Sequence, residues 1–159
     1  MLERRGVTRD TQWPLIDLAV RPEQRDLVSS NMKTFAEAPF ESGAYVWGLW
    51  VGTTPVGLMA MVHPGEYQFH APEDDHEAAY LWRLMIAADH QGQGHGRTAM
   101  GMALMVARDW GCPRLTLGVS GAAHSAQGFY ESMGFRWTGR MDDVDRVMTR
   151  DVDPPARLG

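Results

Sequence analysis

The chain is poor in cysteine and lysine. One thiol, Cys112, stands alone, so no intramolecular disulfide can form and no cysteine pair offers zinc spacing. A single lysine, Lys33, joins 14 arginines, and these 15 cations face 20 Asp and Glu for a formal net charge of -5. No basic run occurs, which argues against a nucleic-acid surface, because phosphate backbones are held mainly by clustered Lys and Arg. The acidic excess suits an amine-bearing partner better. Long apolar runs are missing too. The first thirty residues carry Arg4, Arg5, Arg9, Asp10 and Asp17, which leaves neither a signal peptide nor a membrane span and predicts a cytoplasmic protein.

What is present is 44% hydrophobic and 22% charged over 159 residues, the usage of one ordinary folded domain. Periodicity predicts a strand over 15–20 and a helix from 23 to about 35, with Pro22 near its first turn, where a missing N–H costs nothing. Two β-rich runs, 45–51 and 55–63, flank Gly52, Thr53 and Thr54 and predict a hairpin. Residues 63–77 show no period and predict an exposed loop with an acidic tip from Glu73 to Glu77. Ala79 to Ala87 is apolar except for Arg83, as in a strand covered on both faces. After a glycine-rich interruption, 98–110 predicts a helix with Met100, Ala103, Leu104 and Ala107 on one stripe, ended by Gly111. A strand over 114–120, a short helix over 124–133 and a strand pair over 135–139 and 146–150 follow. Together they make one α/β domain around a mixed sheet, residues 1–151, with 152–159 as a loose, disordered tail. Cys112 reads as a small buried hydrophobe, since no activating His or Lys adjoins it.

The segment from His90 to Arg97 lies between that apolar strand and the next helix. Free backbone N–H groups and the positive end of the helix dipole make such a turn a phosphate site, and glycines allow close approach. A P-loop needs Gly-Lys followed by Ser or Thr, but Gly96 precedes Arg97; a dinucleotide fingerprint needs glycine where Arg97 or Ala99 stands. The run Gln91-Gly92-Gln93-Gly94-His95-Gly96 instead resembles the Q/R-x-x-G-x-G/A pyrophosphate motif of the GNAT superfamily of N-acetyltransferases. Phe129-Tyr130-Glu131-Ser132-Met133-Gly134-Phe135 resembles the F-Y-E-x-x-G-F segment of the same family. The order of elements over 15–150 agrees, and L-W-R-L-M-I before Q-G-Q-G-H-G looks most like the diamine (spermine/spermidine) acetyltransferase branch. Ala123 departs from the family, which often has Asn there to touch the pantetheine arm of the cofactor.

The resemblance implies a single-domain GNAT-like fold: a central mixed, mostly antiparallel sheet of six to seven strands flanked by helices, with a splayed parallel pair, 79–87 and 114–120, forming an acetyl-CoA cleft. It implies pantetheine contacts around Leu84, Met85 and Ile86, and an oxyanion contact from a backbone N–H near Met85. Gln91, Gly92, Gln93, Gly94, His95, Gly96, Arg97 and Thr98 become the pyrophosphate contacts. Tyr130 becomes the general acid that protonates the leaving thiolate after direct attack by a primary amine. The acceptor implied is a small molecule, with a polyamine or diamine as leading candidate, and a homodimer is implied as well. The proton acceptor stays open among Glu37, Glu41 and the acidic tip; Glu37, Glu41 and Trp82 are candidate substrate contacts. His63, His70 and His76 lack ligand spacing, so no metal is expected. Two rival readings remain: a non-catalytic acyl-CoA-binding module, and a protein or peptide N-acetyltransferase.

Overall fold

The computed structural model describes residues 1–122 and 124–154. One sheet holds β1 (Leu2–Gly6), β2 (Ala44–Val51), β3 (Thr54–Val62), β4 (Ala79–Ile86), β5 (Arg114–Ser120), β6 (Arg136–Asp142) and β7 (Asp145–Asp151). Its order is β1-β2-β3-β4-β5-β7-β6, with β4–β5 parallel and the other pairs antiparallel. The helices are α1 (Gln12–Ile16), α2 (Asn31–Glu37), α3 (His95–Asp109) and α4 (Gln127–Ser132). This is the single α/β domain expected, with seven strands. No helix among the described residues is long and apolar enough to cross a membrane.

Side-chain alternation decides which face each strand gives to which helix. In β5, Leu115, Leu117 and Val119 are buried, while Arg114, Thr116, Gly118 and Ser120 face the opposite side. The buried set packs with Ala99, Met100, Ala103, Val106 and Ala107 of α3, a stripe of helical period. Leu104, expected on that stripe, is only partly buried, and Ala99 and Val106 fill its place.

β4 changes phase midway. Ala60 of β3 pairs with Arg83 and Met61 with Leu81, so Trp82 is an extra residue, a β-bulge. Before it, Ala79 and Leu81 face the α3 core; after it, Leu84 and Ile86 do, and Met85 turns to the other face. There Met85 joins Leu15, Val20, Trp50 and Leu58 in a second core beneath α1 and the chain that follows it.

The N-terminal third departs from the sequence expectation. Residues 15–20 are not a strand: Gln12–Ile16 is a short helix, and Leu15 and Leu18, spaced by three, both serve the second core. The helix expected over 23–35 is a 3-10 turn at Pro22–Gln24 and then α2, because Ser30 interrupts it as an N-cap and accepts from the Lys33 N–H at 3.1 Å. β1 carries no strand signal in the sequence, because four of its five residues are exposed and it is held by backbone pairing to β2. The hairpin is β2 and β3, the loop follows, and β5 covers the residues expected. The last helix is shorter than 124–133, the last strand pair slightly longer, and α3 begins at His95 rather than Thr98. Val152 still bonds the Pro113 carbonyl at 2.9 Å, so the loose tail does not begin there; 155–159 lie outside the described residues.

Asn31 is buried and its Nδ2 donates to the Leu15 carbonyl at 2.8 Å, tying α2 to α1. Asn31→Ala removes that bond and leaves the carbonyl to the backbone N–H of Leu18 at 3.3 Å, which should cost about 1 kcal/mol. Urea denaturation would measure it; an unchanged midpoint would show that water replaces the bond.

Candidate active site

β4 and β5 are paired only through Ala79–Leu115, Tyr80–Thr116 and Leu81–Leu117, and they part beyond. A cleft of about 650 Å³ fills the opening. The Ala87 N–H bonds the Val56 carbonyl of β3 at 2.8 Å, and the side chain of Gln91 bonds the Ile86 carbonyl from the opposite edge at 3.0 Å. Because alternate residues of a strand address opposite neighbours, Met85 directs its N–H at β3, while Leu84 and Ile86 direct theirs into the cleft.

At the cleft's mouth the glycine turn enters α3. Gly92 and Gly94 have φ of +76° and +83°, a region that side chains other than Asn or Asp rarely adopt. Gly94 caps α3 without a side chain, and the first helical bond runs from the Thr98 N–H to the Gly94 carbonyl at 3.1 Å. The N–H groups of His95, Gly96 and Arg97 thus have no acceptor within the helix. These residues, with Gln91, Gly92 and Gly94, line the cleft. Gln93 is exposed outside it, and the Thr98 hydroxyl turns back to the Gly94 carbonyl at 3.2 Å. Gln91 builds the turn: its Nε2 also reaches Gln24 Oε1 at 2.8 Å. The Arg97 guanidinium leans on α4, donating to Ser132 Oγ at 3.1 Å.

Tyr130 and Phe129 of α4 line the same cleft. Tyr130 is wedged edge-on between Phe129 and Phe135, ring centroids 5.3 and 5.9 Å away, and the Phe135 N–H closes the helix on the Tyr130 carbonyl at 3.1 Å. Burial alone pushes its phenol up to about 12, so it remains a proton donor across the neutral range. Ala123, noted for its departure from the family, lies outside the described residues.

A second cavity of about 400 Å³ lies across the splay and shares Tyr80, Trp82, Arg83 and Gly118 with the first. The loop after β3 supplies Tyr67, His70, Glu73, Asp74 and Asp75 to its lining. Two strand arginines pin this loop: Arg114 bonds Asp75 at 2.5 Å and Glu77 at 3.0 Å, and Arg140 bonds Asp74 at 2.6 Å. The Arg114 pair holds Asp75 below the usual carboxylate value. Burial pushes Asp74 up, but the Ala71 N–H and Arg140 outweigh it.

The substrate candidates separate here. Glu37 is engaged by Arg83 at 3.2 Å and Lys33 at 3.7 Å and does not line the cavity, whereas Glu41 and Trp82 do. Burial lowers Arg83 from its usual value, with Glu37 acting against it. Among the described residues Glu41, Glu73 and Asp142 make no ion pair, so the cavity's arginines are neutralised and its free charge is negative. Burial, then the charges of Glu41, Asp74 and Asp142, raises the Tyr67 phenol. Tyr67, Tyr80, Asp142 and Asp145 were not singled out in the sequence; alternation could have placed Tyr80 opposite Leu81, but nothing local marks the other three. No cluster of metal-ligating side chains occurs among the described residues.

A sheet split at one parallel pair, with a helix N-terminus at the split that no side chain caps, makes a site for an anionic ligand that can pair with free backbone groups. The model of the acetyltransferase (GNAT) family matches residues 13–135, and the chain belongs to that family. It is similar to the peptidyl-lysine N-acetyltransferase YjaB of Salmonella typhimurium, 33% identical over 149 residues that cover 90% of this chain and 79% of the relative. It is also similar to N-acetyltransferase 8B of Homo sapiens, 27% identical over 125 residues, 79% of this chain and 50% of the relative. The chain thus spans about half the length of that human relative. Among solved structures, spermidine N-acetyltransferase of Vibrio cholerae in complex with CoA and spermine matches with a TM-score of 0.69 at 18% identity, covering 95% of each chain, a likeness of fold.

The turn's geometry separates two glycines. Gly94→Ala forces a Cβ onto a left-handed residue and should cost about 1 to 2 kcal/mol. Gly96→Ala, where a Cβ meets Phe129 at an ordinary 3.5 Å inside a helix, should be neutral or stabilising. Equal urea midpoints for the two variants would contradict the assigned conformation.

Proposed function

We propose that this chain, with its domain over 1–151, is an acetyl-CoA-dependent N-acetyltransferase acting on the primary amine of a small cationic molecule. The observation that carries the reading is the splay itself, with free backbone groups along one wall, the turn at its mouth and Tyr130 on its side. The chain's own residues fit the donor. The N–H groups of His95, Gly96 and Arg97 suit a pyrophosphate. A Cβ at Gly92 or Gly94 would meet nothing within 4 Å, so the turn is open to a ligand. Leu84 offers backbone N–H and carbonyl to the amides of a pantetheine arm. When bound, acetyl-CoA supplies an acetyl group activated as a thioester. Leu84 or Ile86, rather than Met85, then points an N–H at the acetyl oxygen, a contact of the kind typically worth a few kcal/mol. Tyr130, kept protonated by burial, gives its proton to the departing sulfur.

The acceptor enters from the second cavity, whose Glu41, Glu73 and Asp142 attract a cation and whose Tyr67, Tyr80 and Trp82 cover an alkyl chain. The pinned loop over this cavity favours a compact diamine or polyamine. The similarity to a peptidyl-lysine N-acetyltransferase favours a second reading, in which the amine is a lysine side chain.

Thiol release from acetyl-CoA across spermidine, spermine, short diamines, amino acids and lysine peptides tests both. Turnover with the free amines supports the first reading, and turnover with peptides alone the second. Bound coenzyme A without turnover on any amine would make the chain a sensor. Tyr130→Phe should lower kcat by about 100-fold or more, with coenzyme A affinity almost unchanged. Because the Tyr130 phenol stays protonated up to about 12, the wild-type rate should show no alkaline fall from this group below about pH 10.

A further inference from the structure

Where β4 and β5 part, the next residue of β5 is Gly118, which lines both cavities. A Cβ built there would lie 3.5 Å from Tyr80 Oη and 3.6 Å from Asp145 Oδ2. A phenol from β4 and a carboxylate from the start of β7 therefore reach over the same glycine, at the closed end of the splay. Tyr80 belongs to both cavities, and Asp145 to the one assigned to the donor. Asp145 makes no ion pair or side-chain hydrogen bond among the described residues, unlike Glu37, Asp74 and Asp75, whose arginine partners occupy them. Glu41 and Asp142 line only the acceptor cavity.

We propose that Asp145 is the catalytic base of the acetyl transfer and Tyr80 the residue that positions the acceptor nitrogen over Gly118; this rests on the acetyltransferase reading above. Asp145 takes a proton from the acceptor ammonium. The freed nitrogen lone pair forms the new C–N bond as the thioester C–S bond breaks, and Tyr130 returns a proton to the sulfur. The acetylated nitrogen sheds its second proton to solvent to become the neutral amide, Asp145 releases its proton to solvent, and Tyr130 regains one from solvent, so that one proton is released per turnover.

The surroundings of Asp145 offer it no cationic partner among the described residues. Burial, then the charges of Asp142 and Asp143, hold Asp145 above the usual carboxylate value. β4 faces it with Tyr80, pushed up to about 12 by burial and Asp142, and so neutral. β5 faces it with uncharged Gly118 and its register partner Ser120. The neighbouring Arg146 turns away, bonding Gln127 at 2.8 Å and lying over Trp137.

Three measurements on the full chain decide it. Asp145→Asn should lower kcat by about 100-fold or more, with the calorimetric affinity for coenzyme A unchanged. Asp143→Asn, at a turn residue with φ of +52° that Asn also adopts, removes one of the charges that raise the Asp145 carboxyl. It should move the acid limb of kcat/KM to lower pH, leave the plateau intact, and lower the pH at which the Asp145 carboxyl titrates in the carbon NMR spectrum of the free protein. Full turnover in Asp145→Asn, loss of coenzyme A binding along with turnover, or a carboxyl titration indifferent to Asp143 would overturn the assignment. A wild-type protein that binds coenzyme A but acetylates no amine would overturn the acetyltransferase reading, and the base with it.

Discussion

Everything in this molecule follows from a pair of parallel strands that stop bonding to each other. Backbone N–H and carbonyl groups are costly to leave buried and unpaired. β4 is paired with β3 from Tyr80 to Ile86 on either side of the bulge, yet β5 joins it over three residue pairs and then bonds only β7. The exposed edge of β4 is tolerable because it opens into a cleft, where water or an amide-bearing ligand can complete it. The same separation brings the N-terminus of α3 to the mouth of the opening, so one break in the sheet prepares both a polar wall and an anion site.

The bulge at Trp82 supplies the second necessity. Without it β4 would keep one phase, and the residues past the break would present the wrong faces to their cores. With it, Leu84 and Ile86 bury against α3 while Met85 crosses to the core under α1. Tyr80, on the near side of the bulge, is left facing the second cavity. The two cavities meet at Gly118, where the absence of a side chain leaves room for groups from β4 and β7.

The parts of this design that were legible in the sequence are those written in consecutive residues. The hairpin, the glycine turn, β5 and the aromatic segment of α4 each carry their own turn chemistry or period. The N-terminal third misled because Leu15 to Val20 is apolar enough for a strand, while the spacing of Leu15 and Leu18 is helical; tertiary burial decided between them. Glu37 reads as a substrate candidate in the sequence, but Arg83, distant in sequence, is bonded to it. Tyr80 and Asp145 could not be paired by any local rule, since only the crossing of β5 between β4 and β7 makes them neighbours. Gln91 fits the motif yet spends its side chain on architecture, linking β4 to the turn at Gln24.

The loop over the second cavity is held by charge, whereas the donor cleft is held by backbone and packing. Arg114 and Arg140 grip Asp75 and Asp74 from strands across the floor, with side chains about 30% exposed, close enough to water for dissolved ions to compete. At 1 M ionic strength the Debye length shrinks to about 3 Å, and partly exposed pairs of this kind lose most of their hold. The two halves of the site therefore differ in their sensitivity to the medium: added electrolyte loosens the wall on one side of the sheet while the strands and glycine turn on the other keep their shape.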